Sequence, residues 1–193
     1  MRKDKMFNGY WMSYPPSGNL SKSTVPDLKV TLFVATPTRE GKVGINYLYK
    51  EYTKKKQIDL AKQMQNEGTE VLMSLVDTPA ARWSDVNIPV FVKNFKAEMI
   101  DGDWGLNGVD IDLESEMRGE VCAETFINLI REFRSALGPM DTINAKGQNV
   151  SRISLATCRP ELEHTILQNI GTELDWLNTM AHGNGLCGPM VSH

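Results

Sequence analysis

Three acidic side chains alternate with aliphatic ones in the segment Asn-Gly-Val-Asp-Ile-Asp-Leu-Glu, which occupies residues 107–114. A period of two predicts a β-strand with Asp110, Asp112 and Glu114 on one face and the aliphatic side chains on the other. Neighbouring carboxylates about 6 Å apart would repel by about 3 kcal/mol, or about two pKa units, at an effective dielectric near 20. We therefore expect one acid to stay protonated near neutral pH. A protonated Glu114 beside an ionised aspartate is suited to general acid catalysis.

The elements that must position this acidic strand follow from the apolar pattern of the chain, in which short runs alternate with longer amphipathic stretches. The runs predict strands over Phe7–Met12, Lys29–Ala35, Glu70–Val76, Gly108–Glu114, Ile153–Thr157 and Leu174–Ala181. The stretches predict helices over Tyr47–Asn66, Ile88–Ile100, Glu120–Leu137 and Pro160–Ile170. Strands that alternate with helices imply right-handed βαβ units and a parallel sheet, with the acidic strand in a central position.

Two α/β architectures have this order of elements: an open doubly wound sheet and a (β/α)8 TIM barrel, of which about six βα units would be present. The first strand is followed by Ser-Tyr-Pro-Pro-Ser-Gly at residues 13–18, which is neither a G-x-G-x-x-G pattern nor a P-loop. This weakens the nucleotide-binding functions of open sheets. In a barrel, Glu114 would lie at the C-terminal end of its strand, where barrel active sites are built. The length of 193 residues predicts a single domain over residues 1–193.

Composition and charge exclude several classes of function. The hydrophobic content of 41% is enough for a folded core, and a net charge of -3 argues against a nucleic-acid partner. No apolar run approaches the roughly 20 residues of a membrane span. The three cysteines form no zinc or disulfide pattern, and we expect neither a metal nor a cofactor. The N-terminal apolar segment is too short for a secretory signal, so the protein is expected to be secreted only if a signal was removed, and cytoplasmic otherwise.

Residues 107–114 resemble the D-G-x-D-x-D-x-E signature of glycoside hydrolase family 18, the chitinases and endo-β-N-acetylglucosaminidases. Three further segments are similar to the family in the same order. Phe-Asn-Gly-Tyr-Trp at residues 7–11 resembles its first strand, which ends in Gly-Tyr, and residues 71–75 resemble its third strand, whose S-x-G-G motif is reduced here to Ser74. Residues 174–182 resemble its sixth strand, which ends in M-x-Y-D or M-x-Y-N.

The resemblance implies a TIM barrel that hydrolyses β-1,4-linked N-acetylglucosamine, in chitin, chitooligosaccharides or N-glycans, by substrate-assisted retaining catalysis. Glu114 would protonate the glycosidic oxygen, and the 2-acetamido group of the substrate would attack the anomeric carbon. Asp112 would orient that group, while Asp110 would share a proton or hydrogen bond with Asp112. Residues predicted to contact the sugar, by stacking or hydrogen bonding, are Tyr10, Trp11, Met180 and His182.

The sequence departs from the family pattern at several of these positions. Asn107 replaces the first Asp of the signature, a position expected to support structure, and residues 76–77 replace the two glycines after Ser74. His182 and Gly183 stand where the family has Tyr and Asp or Asn. Two further βα units and an aromatic sugar platform belong to a family barrel. We therefore expect a barrel that is incomplete at its C-terminus, with open edges through which copies of the chain could self-associate.

Other interpretations of the acidic segment stay open at this stage. One is a sugar-binding module or fragment of the same fold without activity. Another is a calcium loop, because residues 103–114 nearly match an EF-hand, with Gly105 in place of an acidic ligand. A third is a solvated strand face without function. Trp104 and Trp176 are predicted to pack in the core rather than to contact sugar.

Overall fold

A parallel sheet forms the centre of the molecule in the computed structural model, which describes residues 6–12, 28–45, 53–113, 122–157 and 160–180. The parallel strands are β1 (Phe7–Met12), β2 (Leu28–Pro37), β4 (Glu70–Leu75), β5 (Gly108–Leu113), β6 (Arg152–Thr157) and β7 (Trp176–Thr179). They lie side by side in chain order, and the two-residue strand β3 (Val43–Gly44) pairs antiparallel with β2. The six predicted strands are confirmed; β3 was not predicted.

The sheet curls into part of a barrel. A doubly wound sheet reverses its strand order at a switch point, whereas this order runs without reversal from β1 to β7. The first and last strands approach each other across the concave face, where Asn178 on β7 donates a hydrogen bond of 2.9 Å to the hydroxyl of Tyr10 on β1. The fold is therefore a partial (β/α)8 barrel, and the barrel is the correct one of the two predicted architectures.

Within the described ranges, four α-helices lie between the parallel strands. They are α1 (Lys54–Asn66), α2 (Ile88–Phe95), which continues as a π-helical turn over Lys96–Ile100, α3 (Ala123–Leu137) and α4 (Pro160–Ile170). Within the ranges that the structure describes, no helix has both the length and the apolar character to cross a membrane.

The ends of three elements differ from the predicted ends, and for α1 and α3 part of the predicted range lies outside the described residues. Helix α1 begins at Lys54, because Thr53 is extended and its hydroxyl caps the helix by accepting from the Lys56 amide at 3.3 Å. Helix α3 begins after the extended Cys122. Strand β7 begins at Trp176, because a 3-10 turn occupies residues 171–173 and delays the strand.

The hydrophobic core lies between the convex face of the sheet and the helices. Val109, Ile111 and Leu113 of β5 are fully buried there. The aromatic rings of Phe95 and Phe133, from α2 and α3, meet edge to face with their centroids 5.2 Å apart. Full burial of a valine, leucine or isoleucine side chain stabilises the fold by about 1.5–3 kcal/mol. The aliphatic half of the alternating pattern therefore fixes β5 against the helices, and the acidic half must face the concave side.

The two end strands lead to a prediction about assembly. In the described part of the chain, β1 pairs with β2 and β7 pairs with β6, so each has one edge facing away from the sheet. Because an open strand edge can pair with another chain, we expect concentration-dependent self-association, measured by sedimentation velocity. Phe7 on β1 is 49% exposed, and Phe7→Lys should weaken the association by charging that edge. A purely monomeric chain at micromolar concentration would contradict this expectation.

Candidate active site

Asp110 is the centre of the candidate site and is fully buried on the concave face of β5. Each of its carboxylate oxygens accepts two hydrogen bonds. The Oδ2 atom accepts from the hydroxyls of Tyr10 and Ser74, both at 3.0 Å. The Oδ1 atom accepts from the Ser154 hydroxyl at 2.6 Å and from Asn178 Nδ2 at 3.3 Å. Side chains from four other strands thus hold one carboxylate on the central strand.

Burial shifts the pKa values of two groups in this cluster, the Asp110 carboxyl and the Tyr10 hydroxyl. Burial raises the pKa of the Asp110 carboxyl above its usual value, and the hydrogen bonds from Ser154, Ser74, Tyr10 and Asn178 oppose that rise. Burial also raises the pKa of the Tyr10 hydroxyl, and the negative charges of Asp110 and Asp112 add to the effect. Tyr10 is therefore a permanent hydrogen-bond donor to Asp110 at physiological pH.

Asp112 lies two residues further along β5, on the same face as Asp110, and its side chain is 3% exposed. The strand rise places the two carboxylates about 6–7 Å apart along β5, with Asp112 nearer the C-terminal end. Its partner position on β6 is occupied by the small side chain of Ala156. The alternating pattern therefore predicted correctly that both aspartates lie on the concave face of the sheet.

The start of β5 explains the first two residues of the acidic segment. A Cβ at Gly108 would lie 2.0 Å from the Arg152 carbonyl oxygen, so only glycine allows β5 and β6 to approach so closely. The side chain of Asn107 is buried and contacts two neighbouring elements. Its Oδ1 accepts from the Val71 amide at 2.8 Å, and its Nδ2 donates to the Asn149 carbonyl at 2.7 Å. Asn107 therefore supports structure, as the sequence predicted.

The Asn107 contacts predict the effect of replacing Asn107 with aspartate, the residue at this position in the signature that residues 107–114 resemble. In Asn107→Asp, an acceptor would replace the amide that donates to the Asn149 carbonyl, and a charge would be buried. We expect the free energy of unfolding to fall by about 1–3 kcal/mol at neutral pH. The loss should shrink at acid pH, where the new carboxyl is protonated and can donate. Urea unfolding at both pH values measures it, and an equal loss at both would contradict this account.

Two substitutions after β4 have a structural consequence. Val76 and Asp77 stand where the family motif has glycines. The Val76 amide donates to the Ala35 carbonyl at 3.1 Å, which extends the contact between β4 and β2. Asp77 is buried, and its carboxylate accepts from the Trp83 amide at 3.1 Å. These residues organise the loop that follows β4 and leave Ser74 directed at Asp110.

The residues predicted to bind sugar are only partly brought together. Tyr10 lies in the site, where the residue is 40% exposed and its hydroxyl donates to Asp110. Trp11 was predicted to stack on sugar, but it is buried in the hydrophobic core on the opposite face of β1. Adjacent strand residues point to opposite faces, so Tyr10 and Trp11 cannot both face the site. Met180 directly follows β7 at the C-terminal edge of the sheet, where its amide donates to the Thr157 carbonyl at 2.8 Å. Glu114 and His182 lie outside the described residues.

Two residues of the site, Ser154 and Asn178, were missed by the sequence analysis. Both are polar residues at the inward positions of predicted strands; Ser154 lies between Ile153 and Leu155, and Asn178 follows Leu177. That alternation was the available signal, although it did not identify the partner of either side chain. The tryptophans also differ from one another: Trp104 is fully buried, as predicted, whereas Trp176 is half-buried, with the Lys29 ammonium 5.5 Å from its ring centre.

The calcium interpretation does not agree with the path of the chain. Asp103 is exposed before β5, whereas Asp110 is buried inside the sheet. Residues 108–113 are extended and pair with β6 along their whole length. An EF-hand loop must instead wrap around one ion, so the ligands of such a loop cannot come from this strand.

Comparison with known proteins identifies the same architecture in chitinases, although no protein-family model matches the sequence. A family 18 chitinase from Pseudoalteromonas aurantia is similar with a TM-score of 0.69 and 20% identity, over 94% of this chain and 70% of that structure. A family 18 chitinase from Chromobacterium violaceum is similar with a TM-score of 0.65 and 16% identity, over 90% and 50%. The fold is that of family 18 chitinases.

A third similar structure contains a bound ligand. It is the group IV chitinase of Ostrinia furnacalis in complex with allosamidin, with a TM-score of 0.65 and 15% identity, over 92% of this chain and 50% of that one. The chain thus spans between 50% and 70% of the length of these three structures. At such identities the likeness concerns the fold alone.

Proposed function

We propose that this chain carries the catalytic residues of a glycosidase that hydrolyses β-1,4-linked N-acetylglucosamine in chitin or chitooligosaccharides. The observation that carries the proposal is the position of Asp110 and Asp112. Both are buried on the concave face of the central strand, and four donors hold Asp110. Burying two neighbouring carboxylates is costly, and perturbed acids of this kind cluster at functional sites. The chitinase fold of the chain supports the choice of substrate.

The proposed reaction retains the configuration of the anomeric carbon in two steps. Glu114 donates its proton to the glycosidic oxygen while the acetamide oxygen of the substrate attacks the anomeric carbon. The glycosidic bond breaks, the leaving sugar departs as an alcohol, and a cyclic oxazolinium ion remains. Ionised Glu114 then takes a proton from water, whose oxygen attacks the anomeric carbon and opens the oxazolinium ring. One carboxyl group thus serves as acid and then as base.

The two aspartates have separate roles in this proposal. Asp112 accepts a hydrogen bond from the acetamide N–H and stabilises the positive charge of the oxazolinium ion, an electrostatic contribution of the kind that often dominates catalysis. The charge of Asp110 acts on Asp112 electrostatically across the about 6–7 Å between them and thereby influences its protonation. Tyr10 and Ser74 hold Asp110 in place for this interaction. Met180 and His182 contact the sugar from the edge formed by β7.

A second candidate is a sugar-binding module of the same fold that performs no hydrolysis. One observation favours it: His182 and Gly183 stand where the motif that this segment resembles has Tyr and Asp or Asn. Under this proposal the chain binds N-acetylglucosamine oligosaccharides without cleaving them.

The experiment that separates the two candidates uses the purified chain and a fluorogenic conjugate of an N-acetylchitooligosaccharide. We expect release of the fluorophore, with the new reducing end first appearing as the β-anomer in proton NMR. Calorimetry with N-acetylchitotetraose measures binding in parallel. Binding without release from a folded chain would favour the binding module, and the absence of both would contradict both candidates.

A further inference from the structure

Asn178 on β7 makes two hydrogen bonds that the proposed reaction does not use. Its Nδ2 donates to the Tyr10 hydroxyl at 2.9 Å and to Asp110 Oδ1 at 3.3 Å. The reverse orientation of the amide would place its oxygen against the Asp110 carboxylate, and two acceptors would then face each other. Asn178 is therefore a donor to both groups.

This orientation gives the hydrogen bonds around Tyr10 a fixed direction. The Tyr10 oxygen accepts from Asn178, so its own proton is directed to Asp110 Oδ2. The carboxylate thus receives a donor at each of its four lone-pair positions, from Tyr10, Ser74, Ser154 and Asn178. The serine hydroxyls can rotate and accept a proton from a neutral Asp110, whereas the amide of Asn178 has no acceptor at this position.

We propose that Asn178 is a positioning residue that acts on Asp110 directly and through Tyr10, and thereby lowers the proton affinity of the Asp110–Asp112 pair. The inference deepens the proposed function and rests on it for its catalytic consequence. Before substrate binds, the pair takes up its proton at a pH that Asn178 sets. The resulting charge of Asp112 decides how strongly it attracts the acetamide.

The groups that face Asp110 are those of the surrounding strands. Besides Asp112 on β5, they are the neutral side chains on β1, β4, β6 and β7 already named. Charged groups of the same sheet lie nearer the N-terminal ends of the strands, where Glu70 pairs with Lys29 and Arg152. On β2, the buried Thr31 donates to Asn8 rather than to Asp110. Within the described residues, Asp112 is therefore the titrating neighbour of Asp110 on this face.

The test measures the protonation of Asp110 in the chain labelled with ¹³C at the aspartate carboxyl carbons. The Asp110→Asn variant assigns the resonance, because it removes that signal. In Asn178→Ala we expect the midpoint of the Asp110 titration to rise by about one to two pH units, since a donor to a charged group is lost. Asn178→Ser, a smaller change to the packing, should move the midpoint in the same direction and serves if Asn178→Ala does not fold.

The matched control is Asn169→Ala on α4, an exposed asparagine whose Nδ2 donates to the Thr165 carbonyl at 2.8 Å. This control should leave the Asp110 midpoint unchanged. An unchanged midpoint in a folded Asn178 variant would overturn the inference. Where the chain hydrolyses chitooligosaccharide, the acid limb of its kcat/KM profile should move by the same amount.

The carboxyl titration needs no catalysis, so the two proposals can fail separately. A chain that cleaves no substrate but shows the shifted midpoint would contradict the proposed function and uphold the role of Asn178. Conversely, hydrolysis with an unmoved midpoint would uphold the function and contradict this inference.

Discussion

Replacing Glu114 with glutamine should lower kcat/KM for a fluorogenic chitooligosaccharide by at least about a thousandfold, or about 4 kcal/mol of transition-state stabilisation. Glutamine has nearly the size of glutamate but cannot give a proton to the leaving oxygen or take one from water. Both steps of the proposed reaction depend on this proton, and general acid–base catalysis contributes about 10²–10⁴ to rate. The affinity for the uncleaved oligosaccharide, measured by calorimetry, should stay the same because the side chain keeps its shape.

The control for this experiment is Glu124→Gln, which removes an exposed acid in the first turn of α3. It changes the net charge by the same amount and should leave kcat/KM unchanged. Hydrolysis that persists in Glu114→Gln would refute the assignment of Glu114. A loss of binding together with activity would instead point to a fault in folding, which the unfolding curve of the variant would reveal.

The fold could be predicted from the sequence to the extent that each element carries a periodic pattern. Residues 109–113 alternate strictly, so their strand and both of its faces were predicted correctly. Strand β3 is two residues long, and so short a segment has no period to detect. The start of α1 carried a signal that the prediction did not use: Thr53 precedes a run of helix-forming residues and caps them.

The residues of the candidate site that lie on one strand could be predicted from the sequence. The contacts between residues of different strands were harder to predict. The common face of Asp110 and Asp112 follows from the alternation of side chains along one strand. The contact of Ser154 follows from the register of β6 beside β5, whereas that of Asn178 depends on the curl of the sheet, which brings β7 to within one hydrogen bond of β1. A single sequence gives no direct information on such long-range pairs. The error for Trp11 is of another kind. Adjacent residues of a strand point to opposite faces, so placing Tyr10 in the site already excluded Trp11 from it.

The same curl explains why the concave face tolerates so many polar groups. Toward the C-terminal ends of the strands, the donors from four strands satisfy Asp110. Toward the N-terminal ends, Arg152 on β6 bridges Glu70 on β4, with Nη2 to Oε1 at 3.1 Å, and Asp175, with Nη1 to Oδ1 at 2.8 Å. A hydrophobic core fills the convex side, so the polar clusters of the concave side bind the strands to each other through side chains.

This polar network leads to the largest effect on stability that we expect. Arg152→Met should lower the free energy of unfolding by about 3 kcal/mol, because removing one partner leaves carboxylates without their main counter-charge. The value lies at the low end of the range for such changes, since Glu70 keeps Lys29 and Asp175 keeps Arg134 at 2.9 Å. Urea unfolding followed by tryptophan fluorescence measures it, as a shift of the midpoint at constant slope.

The pH dependence of stability distinguishes loss of this network from a simple packing defect. Burial raises the pKa of Glu70, but hydrogen bonds and charges from Arg152 and Lys29 outweigh it and hold that pKa below the usual 4.5. A lowered pKa in the folded state means that the stabilisation is present above about pH 4.5 and is lost as the pH falls further. Arg152→Met should flatten this acid limb. Lys54→Met, which removes the exposed pair with Glu98, should cost less than about 1 kcal/mol and leave the limb intact. An acid limb that stays unchanged in Arg152→Met would show that the network does not set the acid stability of the barrel.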